Sequence, residues 1–363
     1  MSSGARPERW RRGAGLVAVL TVGFALTPPG SAAQEPLPRV LVITTGGTIA
    51  SRPDAPSLPG RELVAAVPEL AGVARLEVEE FARIGSSAMT PDHWLRLARR
   101  IQGALEGDPG LAGVVVTHGT DSMEETAWFL HLTVADPRPV VLTGSMRSAD
   151  AVSADGPGNL LAAVRTAVAP EAGGKGVLVV LNDRIGSARD VRKTNNLRVD
   201  AFRSPETGYL GTVDPDRVVF HRAPLARHAP ESGFRLREID SLPPVPVVAD
   251  YAGSDGSVIR FWREKEVAGI VVQAFGGGRT SPETARAALE AAASGVPVVL
   301  SSRVPGGRVL ERRVPGPGGP RPMTGAGLVA GRGFGPHRAR ILLMLALTRT
   351  SDPGEIQAIF DEH

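Results

Sequence analysis

The chain has 363 residues, of which 42% are hydrophobic and 22% charged, with 41 basic and 38 acidic side chains and no cysteine. Its length suits two domains with sizeable cores, and the lack of cysteine excludes a disulfide framework. The positive excess lies in the first 33 residues, which hold four arginines and one glutamate; the rest of the chain has 37 of each sign. Charge therefore gives no argument for a nucleic-acid partner.

Residues 1–33 read as a secretory signal peptide. Arg6, Arg9, Arg11 and Arg12 form a basic head, residues 14–26 an apolar run, and Ser31-Ala32-Ala33 a small-residue cleavage point. The apolar run is short for a bilayer span, and Pro28, Pro29 and Gly30 break a helix there. Both features disfavour the alternative, an anchor that stays attached. The expected location is periplasmic or secreted, with no membrane partner; Arg11-Arg12 alone hints at twin-arginine export.

Beyond the leader, short Val/Ile/Leu runs recur, each closed by small polar residues: 40–44, 114–119, 140–145, 177–183, 245–250, 270–275 and 296–302. Helical periods separate several of them, at 91–105, 123–132, 159–168, 284–293 and 337–347. In the first of these, Thr90 is placed as a cap and Trp94, Leu95, Leu97, Ala98 and Ile101 share one face. Continuous apolar strands alternating with helices indicate an α/β protein built on parallel sheets. The stretch between Phe220 and Pro246 is rich in proline and charge and reads as a linker. The expected order is an N-terminal domain at 34–221, a linker at 222–244 and a smaller C-terminal domain at 245–363. Residues 304–322 are polar and glycine-rich and read as an irregular loop, either functional or disordered.

Ligands of open parallel sheets bind beyond the carboxyl ends of the strands. Here those ends read Thr44-Thr45-Gly46-Gly47-Thr48, Thr117-His118-Gly119-Thr120-Asp121, Thr143-Gly144-Ser145 and Asn182-Asp183. The glycines lack the spacing of a phosphate loop or dinucleotide fingerprint, so they suit a turn whose N–H groups face an oxyanion. Thr48 is then a candidate nucleophile, which needs a base. Thr120-Asp121 and Lys193 can supply one. Taken singly, each threonine reads more readily as a cap or turn residue than as a nucleophile. His118 reads as a hydrogen-bonded structural residue, and Glu124-Glu125 as stabilising the first turn of a helix. The seven histidines show no ligand spacing, so no metal is expected.

Together TTGGTIAS at 44–51, VVVTHGTDSMEETAWFL at 114–130 and VVLTGSMRSADAVSADGPGNL at 140–160 resemble the bacterial L-asparaginase family, in its secreted type II branch. VLVVLNDRIGSARDVRKTN at 177–195 and VVLSSRVPGG at 298–307 extend the resemblance. It implies a flavodoxin-like N-terminal domain, a smaller α/β C-terminal domain, and a homotetramer whose sites lie between one subunit's N-domain and its partner's C-domain. It implies hydrolysis of L-asparagine, and in some members L-glutamine, through a threonine acyl-enzyme without a cofactor. By motif position Thr48 is the acylated residue, with Thr120, Asp121 and Lys193 assisting. Ser86 holds the substrate carboxylate, while Asp121 grips its amino end.

The chain also departs from the family pattern. The segment 51–63, where long lids carry a tyrosine, is short, proline-rich and free of tyrosine; Tyr209 and Tyr251 lie elsewhere. Ser87 stands where type II enzymes have Gln or Glu gripping the substrate's amino group. Gly277 stands where a partner-chain asparagine often reaches across, and Glu311 loosely matches the intersubunit glutamate. Two alternatives stay open: a periplasmic amino-acid-binding protein, catalytically weak or inactive, on the same scaffold, and an amidase acting on another amide.

Overall fold

Which face of a sheet a side chain joins follows from its parity along the strand, and here that parity divides the interior in two. The computed structural model describes residues 36–52, 56–316, 319 and 321–363; the expected leader at 1–33 lies outside them. Strands β1 (Arg39–Thr44), β2 (Arg75–Glu80), β3 (Leu111–Thr117), β4 (Val140–Thr143) and β5 (Val177–Leu181) pair in parallel in the order β2-β1-β3-β4-β5. That order is flavodoxin-like, with its switch point between β1 and β3. Strand β6 (Arg184–Ser187) continues the sheet antiparallel. After the two-residue strands β7 (Arg192–Lys193) and β8 (Phe202–Arg203), which pair with each other, β9 (Gly211–Val213) and β10 (Val218–Phe220) complete its edge.

Four helices cover the parallel strands: α1 (Gly60–Ala65), α2 (Pro91–Gly107), α3 (Met123–Thr133) and α4 (Gly156–Val168). Leu41, Ile43, Val114 and Val116 point to α2 and α3; Val40, Val42 and Val115 point to α1 and α4. Burial on both faces explains why the strands read as continuous apolar runs. Thr90 caps α2 as expected, accepting from the backbone N–H of His93, whose ring reaches back to the Thr90 N–H. The predicted apolar face, Trp94 through Ile101, is buried against the sheet.

The smaller sheet orders β11 (Val247–Ala249), β12 (Ile270–Ala274), β13 (Val298–Ser302) and β16 (Leu328–Ala330), all parallel. Helices α5 (Ser257–Glu264) and α6 (Pro282–Ala293) cover one face. Helices α7 (Pro336–Ala346) and α8 (Pro353–Glu362) cover the other and share a core with the larger sheet, through Val271, Val299 and Phe334 packed with Trp128 and Leu132. Within the segment expected to be irregular, β14 (Arg313–Val314) and β15 (Arg321–Pro322) form a short hairpin.

The stretch read as a linker is not a solvated tether. Ala229, Phe234, Leu236, Ile239 and Val245 are buried, the Ile239 carbonyl accepts from Arg99 at 2.6 Å, and the Ser232 hydroxyl donates to the Leu132 carbonyl at 2.7 Å. Its apolar residues fit neither helical nor strand periodicity, so only their burial reveals that it straps the larger sheet's helices. Truncation of the fully buried Ile101 to alanine is expected to cost about 2–5 kcal/mol, measured as a lower urea midpoint at unchanged slope.

Candidate active site

Parallel register sets three strand ends level: Thr44 lies opposite Thr117, and Thr117 opposite Thr143. The loops that leave β1, β3 and β4 therefore open onto one edge of the sheet. The three threonines after β1 have different fates there. Thr44 and Thr45 are buried and donate their hydroxyls to the Glu79 and Thr117 carbonyls, at 3.5 and 3.0 Å. Thr48 is half-buried, and among the described residues its hydroxyl has no hydrogen-bond partner. It is the hydroxyl left free for chemistry.

The turn that presents Thr48 needs its glycines. Gly46 and Gly47 have φ of 98° and 86°, a region that side chains other than glycine rarely adopt. A Cβ on Gly47 would lie 2.3 Å from the Cα and 2.4 Å from the nitrogen of Gly119, and one on Gly119 would lie 2.7 Å from the Ser86 hydroxyl oxygen. Three loops thus meet backbone to backbone, and Thr48 and Thr120 both leave from the Gly47–Gly119 contact. The Ser86 hydroxyl oxygen accepts from the Asp121 N–H at 3.0 Å, and Ser122 donates to the Ser86 carbonyl at 2.6 Å. Ser87, next in the chain, is exposed.

Lys193 arrives from the β7–β8 pair. Its ammonium donates to the Thr120 hydroxyl at 2.9 Å and to Asp121 Oδ1 at 2.8 Å. The lysine side chain is 20% exposed and the aspartate 66%, so the trio is anchored in the protein and open on the carboxylate side. Lys193 is held from behind by a residue that sequence reasoning assigned only to helix stabilisation. The Glu124 carboxylate accepts the Lys193 backbone N–H at 3.1 Å and lies 4.0 Å from the Arg338 guanidinium. No local pattern joins residues 124, 193 and 338; only the tertiary fold does.

His118 is fully buried. One ring nitrogen, Nδ1, is 2.7 Å from the Gly119 carbonyl and must be the donor, so Nε2, 2.9 Å from Thr126 Oγ1, accepts; the Thr126 oxygen in turn accepts from Trp94 at 3.0 Å. Every polar atom of the ring is spoken for, and burial lowers its pKa to about 4. The histidine fixes the loop and is no base. Beside Ser86, Ser87 and Asp121 a cavity of about 280 Å³ reaches to Glu125 and Arg340. Burial pushes the Glu125 carboxyl up in pKa, opposed by His337 and by Arg340, which lies 3.9 Å away.

The fold gathers Thr48, Ser86, Ser87, Thr120, Asp121 and Lys193 at one mouth. Glu311 stands apart: it is exposed and accepts from Thr324 at 3.2 Å. Gly277, at φ 64°, sits at the end of β12, with only the tip of Arg279 near the place of a Cβ. Beyond Thr48 the Leu58 N–H donates to the Ala50 carbonyl at 2.8 Å, and Arg52 donates to the Pro56 carbonyl. Tyr209 donates to the Phe202 carbonyl at 3.2 Å, behind Lys193's strand, and Tyr251 is exposed.

Comparison with known proteins matches this arrangement over nearly all described residues. The family model for Asparaginase, N-terminal, matches residues 39–226, and that for the Glutaminase/Asparaginase C-terminal domain matches residues 244–360. L-asparaginase 2 of Bacillus subtilis is 41% identical over 340 residues, covering 91% of this chain and 88% of the relative. The glutaminase-asparaginase of Pseudomonas fluorescens is 35% identical over 336 residues, covering 90% and 91%. The crystal structure of a probable cytoplasmic L-asparaginase from Campylobacter jejuni superposes with a TM-score of 0.84 at 40% identity, over 90% of this chain and all of that one.

Two outcomes test the geometry. Gly47→Ala should lower stability by more than about 2 kcal/mol, since its methyl would meet backbone in a left-handed region. Gly103→Ala, in the interior of α2 with nothing near its Cβ, should instead stabilise by up to about 1 kcal/mol; parallel urea titrations compare them. For His118, the unfolded chain binds a proton from about pH 6.5 downward while the folded one does not until about 4. Its contribution is therefore full above pH 6.5 and is lost as pH falls toward 4, about 3 kcal/mol in all. Ring NMR should show a neutral Nδ1–H tautomer at pH 5; titration near 6.5 would refute this.

Proposed function

This chain belongs to the asparaginase family, and on that premise we propose that it hydrolyses the side-chain amide of L-asparagine to L-aspartate and ammonia, with L-glutamine as a second substrate. The reading is carried by the Lys193–Thr120–Asp121 trio, which the Gly47–Gly119 contact brings onto the loop next to the one that bears the unpartnered Thr48 hydroxyl. Thr48 attacks the amide carbon and passes its proton to the Lys193–Thr120–Asp121 trio, which takes it up as the base. The trio returns a proton to the leaving nitrogen, ammonia departs, and water then cleaves the threonine ester. Backbone N–H groups at the Gly46–Gly47 turn stabilise the oxyanion.

Ser86 suits the substrate carboxylate because its oxygen accepts from Asp121 and among the described residues its own proton has no acceptor. Asp121, largely open, suits the ammonium end. Glu311 and Gly277 belong to the smaller sheet's side, and a role for them requires a second copy, as in a homotetramer. The leader residues support export to the periplasm.

Without a lid tyrosine the segment 51–63 offers no phenol to the nucleophile. A transition-state hydrogen bond of about 3 kcal/mol is worth about a hundredfold in rate, so turnover should be slow for the family. The same loss, with Ser87 short at the amino end, favours a second reading: an amino-acid-binding protein with little catalysis. Ammonia release from asparagine and glutamine separates the two. Thr48→Ala and Lys193→Met should each lose at least about a hundredfold in kcat while still binding aspartate. Equal release by wild type and Thr48→Ala would end the catalytic reading.

A further inference from the structure

Behind the strand that carries Lys193 lies a second cavity, of about 300 Å³, at the seam between the β7–β8 pair and the loop after β13. Four arginines line it, Arg189, Arg192, Arg308 and Arg338, against two carboxylates, Asp190 and Glu206. The carboxylates are already engaged. Asp190 pairs with Arg189 at 2.9 Å, and Glu206 lies 3.4 Å from the Gly307 N–H. Arg189 is further occupied by the His363 carbonyl at 2.6 Å and by the Phe334 ring.

The other three arginines are short of partners. Arg338 is 5% exposed, yet its guanidinium holds only the Val191 carbonyl and, at 4.0 Å, Glu124; its Nε has no partner among the described residues. Burial lowers its pKa and Arg192 and Arg189 add to the effect, while Glu124 and Asp190 oppose it. Arg192 donates to the Pro305 carbonyl alone among the described residues. Arg308 is exposed and makes no hydrogen bond or ion pair among the described residues. A buried guanidinium with an open donor and two cationic neighbours is costly unless an anion joins it.

We propose that this cavity is a binding site for a small oxyanion, inorganic phosphate or a short carboxylate, held by Arg192, Arg308 and Arg338. Planar guanidinium groups suit the paired oxygens of either. The site is separate from the mouth described above and does not rest on the catalytic reading. Its occupant would brace that mouth from behind, because Arg338 grips the carbonyl of Val191, two residues before Lys193, and Arg192 is Lys193's neighbour.

The test compares thermal unfolding in sodium phosphate and in sodium acetate with sodium chloride at matched ionic strength. Wild type should gain about 2 °C or more in Tm over chloride in one of the two anions at ten times its Kd, and which anion does so identifies the occupant. Arg308→Ala and Arg192→Gln, neither buried, should fold and lose most of that gain. The proposal is overturned if neither anion stabilises wild type beyond chloride, or if both variants respond as wild type does.

Discussion

Two backbones touch at the mouth of the larger sheet, at a point where neither carries a side chain. Gly47 lies so close to Gly119 that a single methyl between them would sit 2.3 Å from an α-carbon. This contact fixes the loop after β1 against the loop after β3, and Thr48 and Thr120 inherit their relative positions from it. Ser86 is locked to the same junction by Gly119 on one side and by the Asp121 N–H on the other. The catalytic reading depends on that junction staying closed, because a threonine is a weak nucleophile unless its base is held in reach.

A second constraint comes from the far side. Lys193 sits on a strand of two residues, too short to fix a side chain by sheet pairing alone. Glu124 supplies what is missing by accepting its backbone N–H, and Arg338 anchors both Glu124 and the Val191 carbonyl. Arg338 in turn belongs to α7, whose apolar face is shared with the core of the larger sheet. Helix α7 therefore reaches the site from behind through the buried Arg338 guanidinium, as it does at the cavity beside Ser86 through Arg340.

Much of this was legible in the sequence, for identifiable reasons. Doubly covered strands must be apolar at successive positions, so 40–44, 114–119 and 177–183 declared themselves, and Thr90-Pro91 marked the start of α2. The polar strand ends located the mouth, because parallel strands must point that way together. Strand β2 stayed hidden since its outward residues, Arg75, Glu77 and Glu80, are charged and exposed at the sheet's edge. The stretch from Phe220 to Pro246 reads as a linker, and its packing on the larger sheet's helices gave no signal because its buried residues follow no regular period. The brace of Glu124 and Arg338 on Lys193 had no signal at all: it joins residues far apart in the chain by charge and packing. Glu311 matched a pattern, but its side chain within this chain turns to Thr324.

The crowded junction also dictates where the protein can change what it accepts. Gly46 against Ile84, Gly47 against Gly119 and Gly119 against Ser86 leave no room for one added carbon, so the floor of the site is closed to mutational exploration. The rim is not: Ser87 is exposed, and only the tip of Arg279 lies near the place of a Gly277 Cβ. Change around the mouth is thereby confined to the periphery, while the Thr48 hydroxyl keeps one fixed address.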